Sequence, residues 1–167
     1  KSPAVAEVLF FVGEARYDAN EDDKAGRLYA VASSVEGSTV ADRALYKRGF
    51  TCLRRKDPHG AADCFRRLVD GYPKSDLHGE GLFLLGEALF RLDQFGPAAD
   101  ALAKLRAESP NHETMPKALF RLGVSLCRLE KWKDAEGALS DLAVRFPKFE
   151  NGVEAELWRG RALAALG

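Results

Sequence analysis

Ala118-Leu119-Phe120-Arg121-Leu122-Gly123 is the stretch on which the fold turns, because the chain writes it five times. Its counterparts are Val8-Leu9-Phe10-Phe11-Val12-Gly13, Ala44-Leu45-Tyr46-Lys47-Arg48-Gly49, Gly81-Leu82-Phe83-Leu84-Leu85-Gly86 and Ala155-Glu156-Leu157-Trp158-Arg159-Gly160. The glycines stand 36, 37, 37 and 37 residues apart. A fixed period in this range is the signature of stacked supersecondary units. Within the units, Ala25, Ala61, Ala98 and Ala135 each follow a glycine by 12 residues. Gly37, Pro73, Pro110 and Pro147 come 12 residues after those alanines.

Between these landmarks the apolar residues step at helical spacing. Leu82, Leu85 and Leu89, then Ala98, Leu102 and Leu105, describe two amphipathic helices. Leu119, Leu122 and Leu126 with Ala135, Leu139 and Leu142 repeat the scheme. A glycine inside a helix costs about 1 kcal/mol against alanine, so something must need the missing side chain. A close antiparallel crossing, with each glycine facing the alanine that follows it, would supply the need. Each proline ends a second helix, since it cannot continue one and restrains its predecessor. Ser2-Pro3, Asp57-Pro58 and Ser75-Asp76 read as helix starts. Asn20 ahead of Glu21, Asp22 and Asp23 puts acid at another. The expectation is an all-α solenoid of four antiparallel hairpins plus one terminal helix. Its repeats fall at residues 5–40, 42–77, 79–114 and 116–151, with a partial one at 153–167, in a single domain.

The order of residue types resembles the tetratricopeptide repeat (TPR). Leu45, Gly49, Ala61, Phe65, Leu68 and Pro73 fill the family's signature positions, and the third and fourth repeats fit equally well. The first repeat departs with Tyr29 and Gly37, the last with Glu156. The family's period is about 34 residues. The excess here lies between each proline and the next glycine, so each first helix is longer or the loop before it wider. Tyr72-Pro73-Lys74-Ser75 and Phe146-Pro147-Lys148, with this longer period, resemble an envelope-type variant of the family. That variant includes the repeats of the Tol–Pal accessory protein and of the outer-membrane barrel-assembly lipoprotein.

The resemblance implies a right-handed superhelix whose first helices line a concave groove for a partner protein or peptide. The groove positions fall on Phe10, Tyr17, Tyr46, Phe50, Arg54, Phe83, Arg91, Phe120 and Arg128. Rings beside arginines suit a peptide with apolar anchors and acidic or carbonyl groups, residue types common in binding hot spots. The plainer reading is that the rings pack between neighbouring first helices while the arginines pair with surface carboxylates. The Lys and Asn of the chaperone-binding carboxylate clamp are missing from the corresponding positions.

The bulk composition narrows the partner class. Lys plus Arg is 25 and Asp plus Glu is 25, so the formal charge is zero. That balance argues against nucleic acid, including an RNA-reading repeat, because counterion release needs a basic surface. No apolar run approaches the roughly 20 residues that cross a bilayer. His59, His78 and His112 read as loop residues without metal-ligand spacing, and no nucleophile elbow, P-loop or paired-carboxylate signature occurs. The reading is therefore a non-enzymatic scaffold with no metal, cofactor or catalytic residue; the alternative is a regulatory or substrate-positioning module of a larger enzyme. Cys52, Cys64 and Cys127 read as buried thiols, with a Cys52–Cys64 disulfide as the alternative. The start at Lys1 and the apolar Leu163 and Leu166 point to a mature form or a piece of a longer protein. A homodimer through the C-terminal helix would also cover those leucines. The envelope resemblance favours the periplasm over the cytoplasm, which three free thiols would favour.

Overall fold

The amphipathic segments form helices at the places their spacing marks. The computed structural model describes residues 2–167 and, among them, nine helices and no strand. They are α1 (Pro3–Asp18), α2 (Asp22–Ser34), α3 (Ala41–Arg54), α4 (Pro58–Gly71), α5 (His78–Arg91), α6 (Phe95–Glu108), α7 (Met115–Arg128), α8 (Trp132–Arg145) and α9 (Gly152–Leu166). The chain divides into two compact units, residues through Leu84 and residues from Leu85, with α5 contributing to each. In the first unit α1 packs on α2, α2 on α3 and α3 on α4. In the second, α6 packs on α7, α7 on α8 and α8 on α9.

Each unit has its own core. Phe10, Tyr29, Leu45, Phe65 and Leu68 are fully buried in the first; Leu102, Leu105, Met115, Leu119 and Leu139 are fully buried in the second. Each such side chain contributes about 1.5–3 kcal/mol of burial free energy. The glycine register serves these residues, not the alanines. A Cβ on Gly13, Gly49, Gly86 or Gly123 would lie 2.7, 2.5, 2.6 or 2.4 Å from Tyr29, Phe65, Leu102 or Leu139. Each of these large residues stands 16 positions after its glycine. The alanines at 12 are buried, yet none is among the nearest atoms. Glycine therefore admits a ring or a leucine from the second helix, which corrects the expected glycine–alanine crossing.

The extra residues of the period lie in loops. First helices α3, α5 and α7 have 14 residues each, as do second helices α4, α6 and α8. Six residues then lead into each following first helix, and these segments fold alike. Tyr72 N–H donates to Leu68 O, Ser75 N–H to Tyr72 O and His78 N–H to Ser75 O. Ser109, His112 and Met115 make the corresponding bonds, and so do Phe146, Phe149 and Gly152, all at 2.8–3.0 Å. The wider loop is thus two successive turns with satisfied backbone donors.

Helix starts are less regular than expected. Asp57 caps α4, its Oδ1 accepting from Gly60 N–H at 2.9 Å, whereas Ser2 makes no side-chain cap bond. Ser75 braces its loop instead, its hydroxyl donating to Asp42 Oδ2 at 2.6 Å and accepting from Leu77 N–H. Asn20 is not the α2 cap; Glu21 is, and Asn20 is left-handed with φ 59°. Lys56, Asp93 and Glu130 share that conformation at the equivalent points, with φ 58°, 55° and 58°. At each site the next N–H reaches back to close the first helix, as Lys131 N–H does to Leu126 O at 2.9 Å. This is a Schellman closure with a non-glycine residue where glycine is favoured.

Glu130→Gly is therefore expected to stabilise the second unit by about 0.5–1 kcal/mol. Relief of left-handed strain, about 1–2 kcal/mol, outweighs the unfolded-state entropy of a new glycine, about 0.5–1 kcal/mol. The denaturation midpoint checks it; a lowered midpoint would show that the turn tolerates glutamate without strain.

Candidate functional site

The helical register divides the nine groove candidates into two kinds. Phe10, Phe83 and Phe120 are 1 %, 8 % and 5 % exposed, so these rings fill space and do not line a surface. Tyr17, Tyr46 and Phe50 are half-buried and keep surface. Arg54, Arg91 and Arg128 are exposed.

In the first unit Arg54 and Lys47 are stacked on one ring and already neutralised. The Arg54 guanidinium lies 3.8 Å from the Tyr17 ring centroid, and its Nε donates to Asp22 Oδ1 at 2.8 Å. Arg54 also donates to the Tyr17 carbonyl at 2.9 Å and contacts Asp22 through Nη2. The Asp22 contact holds the guanidinium above its ordinary pKa. Lys47 sits 5.3 Å from the same ring and pairs with Glu14 Oε2 at 2.8 Å. Glu14 in turn accepts from the Tyr29 hydroxyl, whose pKa is pushed up by burial and by that carboxylate. Arg54 thus closes the α1–α2 turn onto α3. Phe10, Arg43, Tyr46 and Leu77 help line a neighbouring cleft of about 340 Å³. Arg43 lies 4.4 Å over Phe10, and Tyr46 meets Phe50 edge-on at 4.9 Å.

In the second unit a ladder of rings and guanidiniums runs over α5, α6, α7 and α9. Arg121 stacks 4.7 Å over Phe90 and is paired with Glu87 Oε1 at 2.6 Å. Phe90 meets Phe95 edge-on at 5.4 Å. Arg128 lies 5.6 Å from the Phe95 ring and 5.5 Å from Trp158, and Arg161 lies 4.7 Å from Trp158. Neither Arg128 nor Arg161 has a carboxylate within 4 Å among the described residues. Two guanidiniums therefore flank one indole with their charge uncompensated. Arg91 is exposed and likewise makes no ion pair there.

Of the nine candidates, Arg128 belongs to this cluster. Trp158 and Arg161 are not among the nine. The signal was present in the register: Arg161 occupies the position of Glu87 and Val124 in earlier repeats.

The cysteines are free thiols, all buried. Hydrogen bonding from Cys64 lowers the pKa of the Cys52 thiol, and the same bond with burial raises that of Cys64. Burial raises Cys127. Among the described residues no three of His, Cys, Asp and Glu gather as metal ligands would. None of the described helices is long and apolar enough to cross a membrane.

Repeated helix pairs, glycine-seated second helices and a ring-and-arginine face on the first helices define an α-helical repeat protein. Tetratricopeptide-repeat profiles match residues 46–113 and 117–148, together more than half of the sequence. The chain belongs to the tetratricopeptide repeat family. No curated protein is significantly similar to it in sequence. Among solved structures it is similar to YrrB, described as a TPR protein with an unusual peptide-binding site, at TM-score 0.75 and 19% identity. That match covers 93% of this chain and 75% of YrrB. MamA matches at TM-score 0.71 and 20% identity over 97% of this chain and 88% of its own. The TPR2B domain of yeast Sti1, solved in complex with pHsp70, matches at 0.60 and 15% over 74% of this chain and 96% of its own.

Proposed function

We propose that the protein is an interaction scaffold, without catalytic chemistry of its own, that captures an acidic peptide segment of a partner protein at Arg128, Trp158 and Arg161. The observation that carries this reading is a pair of uncompensated guanidiniums on one indole. Arg54, Lys47 and Arg121 also stack on rings, yet each has a carboxylate partner. Arg128 and Arg161 do not, although Glu and Asp are as plentiful as Lys and Arg in the chain. A peptide carboxylate between them would make charge-assisted hydrogen bonds while its neighbour stacked on the indole. Peptide recognition by structural neighbours, YrrB and the Sti1 domain, supports the class of partner. The setting we favour, a bacterial cell-envelope assembly, rests on the Tyr72-Pro73-Lys74-Ser75 type of loop together with the longer repeat period.

Calorimetric titration of the chain with a Glu-rich peptide carrying one aromatic anchor tests the proposal. Binding is expected, weakening as salt shortens the Debye length from about 10 Å at 0.1 M to about 3 Å at 1 M. The Lys-substituted peptide is expected not to bind. Equal binding of both peptides would overturn the reading.

A further inference from the structure

One hairpin carries sulfur where the next two carry hydrocarbon. Cys52 lies on α3, three residues after Gly49, and Cys64 on α4, three residues after Ala61. The same positions hold Leu89 and Ala101 in the third repeat and Leu126 and Ala138 in the fourth. All six side chains are buried, so leucine and alanine fill the equivalent space. A buried cysteine packs as a small apolar residue and is set apart by its reactivity. Packing therefore gives no reason for two thiols here.

The fold brings the two sulfurs together. Helix α3 packs on α4, and Cys52 Sγ rests close to the α4 backbone, where a Cβ on Gly60 would lie 2.9 Å from it. Gly60 stands one turn before Cys64 on the same face of α4. Cys52 is 7 % exposed and Cys64 1 %, so a small reagent meets Cys52 first. The thiols share a hydrogen bond, which does most to hold Cys52 below its ordinary pKa; Arg48 and Arg55 act the same way, against burial and Asp57. The thiolate so favoured is the nucleophilic form. Cys127, also buried, donates instead to the Trp158 carbonyl at 3.8 Å.

We propose that Cys52 and Cys64 form a redox-reactive dithiol that hydrogen peroxide converts to a disulfide joining α3 to α4. The Cys52 thiolate attacks one peroxide oxygen and the O–O bond breaks. The released hydroxide takes up the proton that Cys52 gave up and leaves as water, and Cys52 becomes a sulfenic acid. Cys64 Sγ then attacks Cys52 Sγ, the S–O bond breaks, and the hydroxyl departs with the Cys64 proton as a second water. The thiol pair loses two electrons and the peroxide gains them. The new bond joins positions 12 residues apart and fixes α3, which carries Tyr46, Phe50 and Arg54, onto α4. Nothing in it draws on the acidic-peptide site.

Titration of the full chain with hydrogen peroxide, read by intact mass and tryptic peptide mapping, tests this. The wild type is expected to lose the mass of two hydrogens while Cys127 stays reduced. Cleavage after Arg54, Arg55 and Lys56 separates the two cysteines, so a cross-linked peptide reports the bond directly. Dithiothreitol is expected to reverse it. Oxidation is expected to raise the urea midpoint of the first unit by about 1–3 M, a short-loop disulfide's contribution divided by a small domain's urea sensitivity. Cys52→Leu with Cys64→Ala, which copies the pair of the fourth repeat, is expected to fold and to show neither change. Cys64→Ala alone is expected to leave a sulfenic acid on Cys52 that dimedone captures. Oxidation of Cys127 ahead of the pair, or of Cys52 to sulfinic acid without a cross-link, would overturn the proposal. So would a pair left reduced at a peroxide dose that oxidises all three cysteines in the urea-unfolded chain.

Discussion

Gly123→Ala is expected to destabilise the second unit by about 1–3 kcal/mol, the cost of overpacking a filled core. Helix propensity predicts the opposite sign, because alanine is favoured over glycine by about 1 kcal/mol in a helix interior. Packing wins because of which atoms the new methyl meets. It would lie 2.4 Å from Leu139 Cγ and 2.6 Å from Cδ2. The Cγ is a branch point held close to the α8 backbone, so Leu139 cannot swing clear without leaving its rotamer. Either α7 and α8 separate or Leu139 is strained. Leu139→Ala alone is expected to cost about 2–5 kcal/mol through the cavity it opens. The double variant should cost less than the sum, because the new methyl occupies part of that cavity. Gly160→Ala is the control: with nothing within 4 Å, it is expected to stabilise by about 0.5–1 kcal/mol. Denaturant midpoints for the four proteins decide the matter. Stabilisation by Gly123→Ala would remove the steric account of the glycine register.

That register also shows what a sequence can convey. Its period and the helical spacing of Leu82, Leu85 and Leu89 were enough to predict an all-helical repeat, since the burial of one helix face constrains residue type at every turn. The partner of each glycine was harder to see. Spacing tells which face a residue occupies but not how far its side chain reaches, so Ala135 looked as good an occupant as Leu139. The left-handed turns were hidden for a related reason: Lys56 and Glu130 carry no turn preference, and backbone closure onto Cys52 and Leu126 imposes the conformation. Among the site candidates, position alone could not separate a ring that lines a surface from one that fills a gap. Phe10, Phe83 and Phe120 are such fillers. Arg54 and Arg128 occupy the same repeat position, yet one is bonded to Asp22 and the other has no acid beside it. That difference depends on which residues neighbouring turns and helices bring close, which no single repeat records.

Charge reversal at the unpaired arginines is expected to have the largest effect on binding. Arg128→Glu with Arg161→Glu should weaken capture of an acidic peptide at least 100-fold, about 2.7 kcal/mol. Each arginine lost removes a hydrogen bond to a charged group, about 1.5–3 kcal/mol, and reversal adds repulsion to the loss. Stability should hardly change, because neither arginine gives up an ion pair within the chain. Arg54→Glu should do the converse. It breaks the contacts to Asp22 and to the Tyr17 carbonyl, lowering the stability of the first unit while leaving peptide affinity at α7 and α9 intact. Arg66→Glu with Arg67→Glu, exposed changes on α4, matches the double reversal's shift in net charge. Titration calorimetry and thermal unfolding of the same four proteins separate the effects. If the reversal at Arg66 and Arg67 weakens capture as much as that at Arg128 and Arg161, the attraction is a general field effect and the Trp158 cluster is not the site. If Arg54→Glu alone abolishes capture while the double reversal does not, the binding surface lies in the first unit, around Tyr17 and the Arg43 cleft.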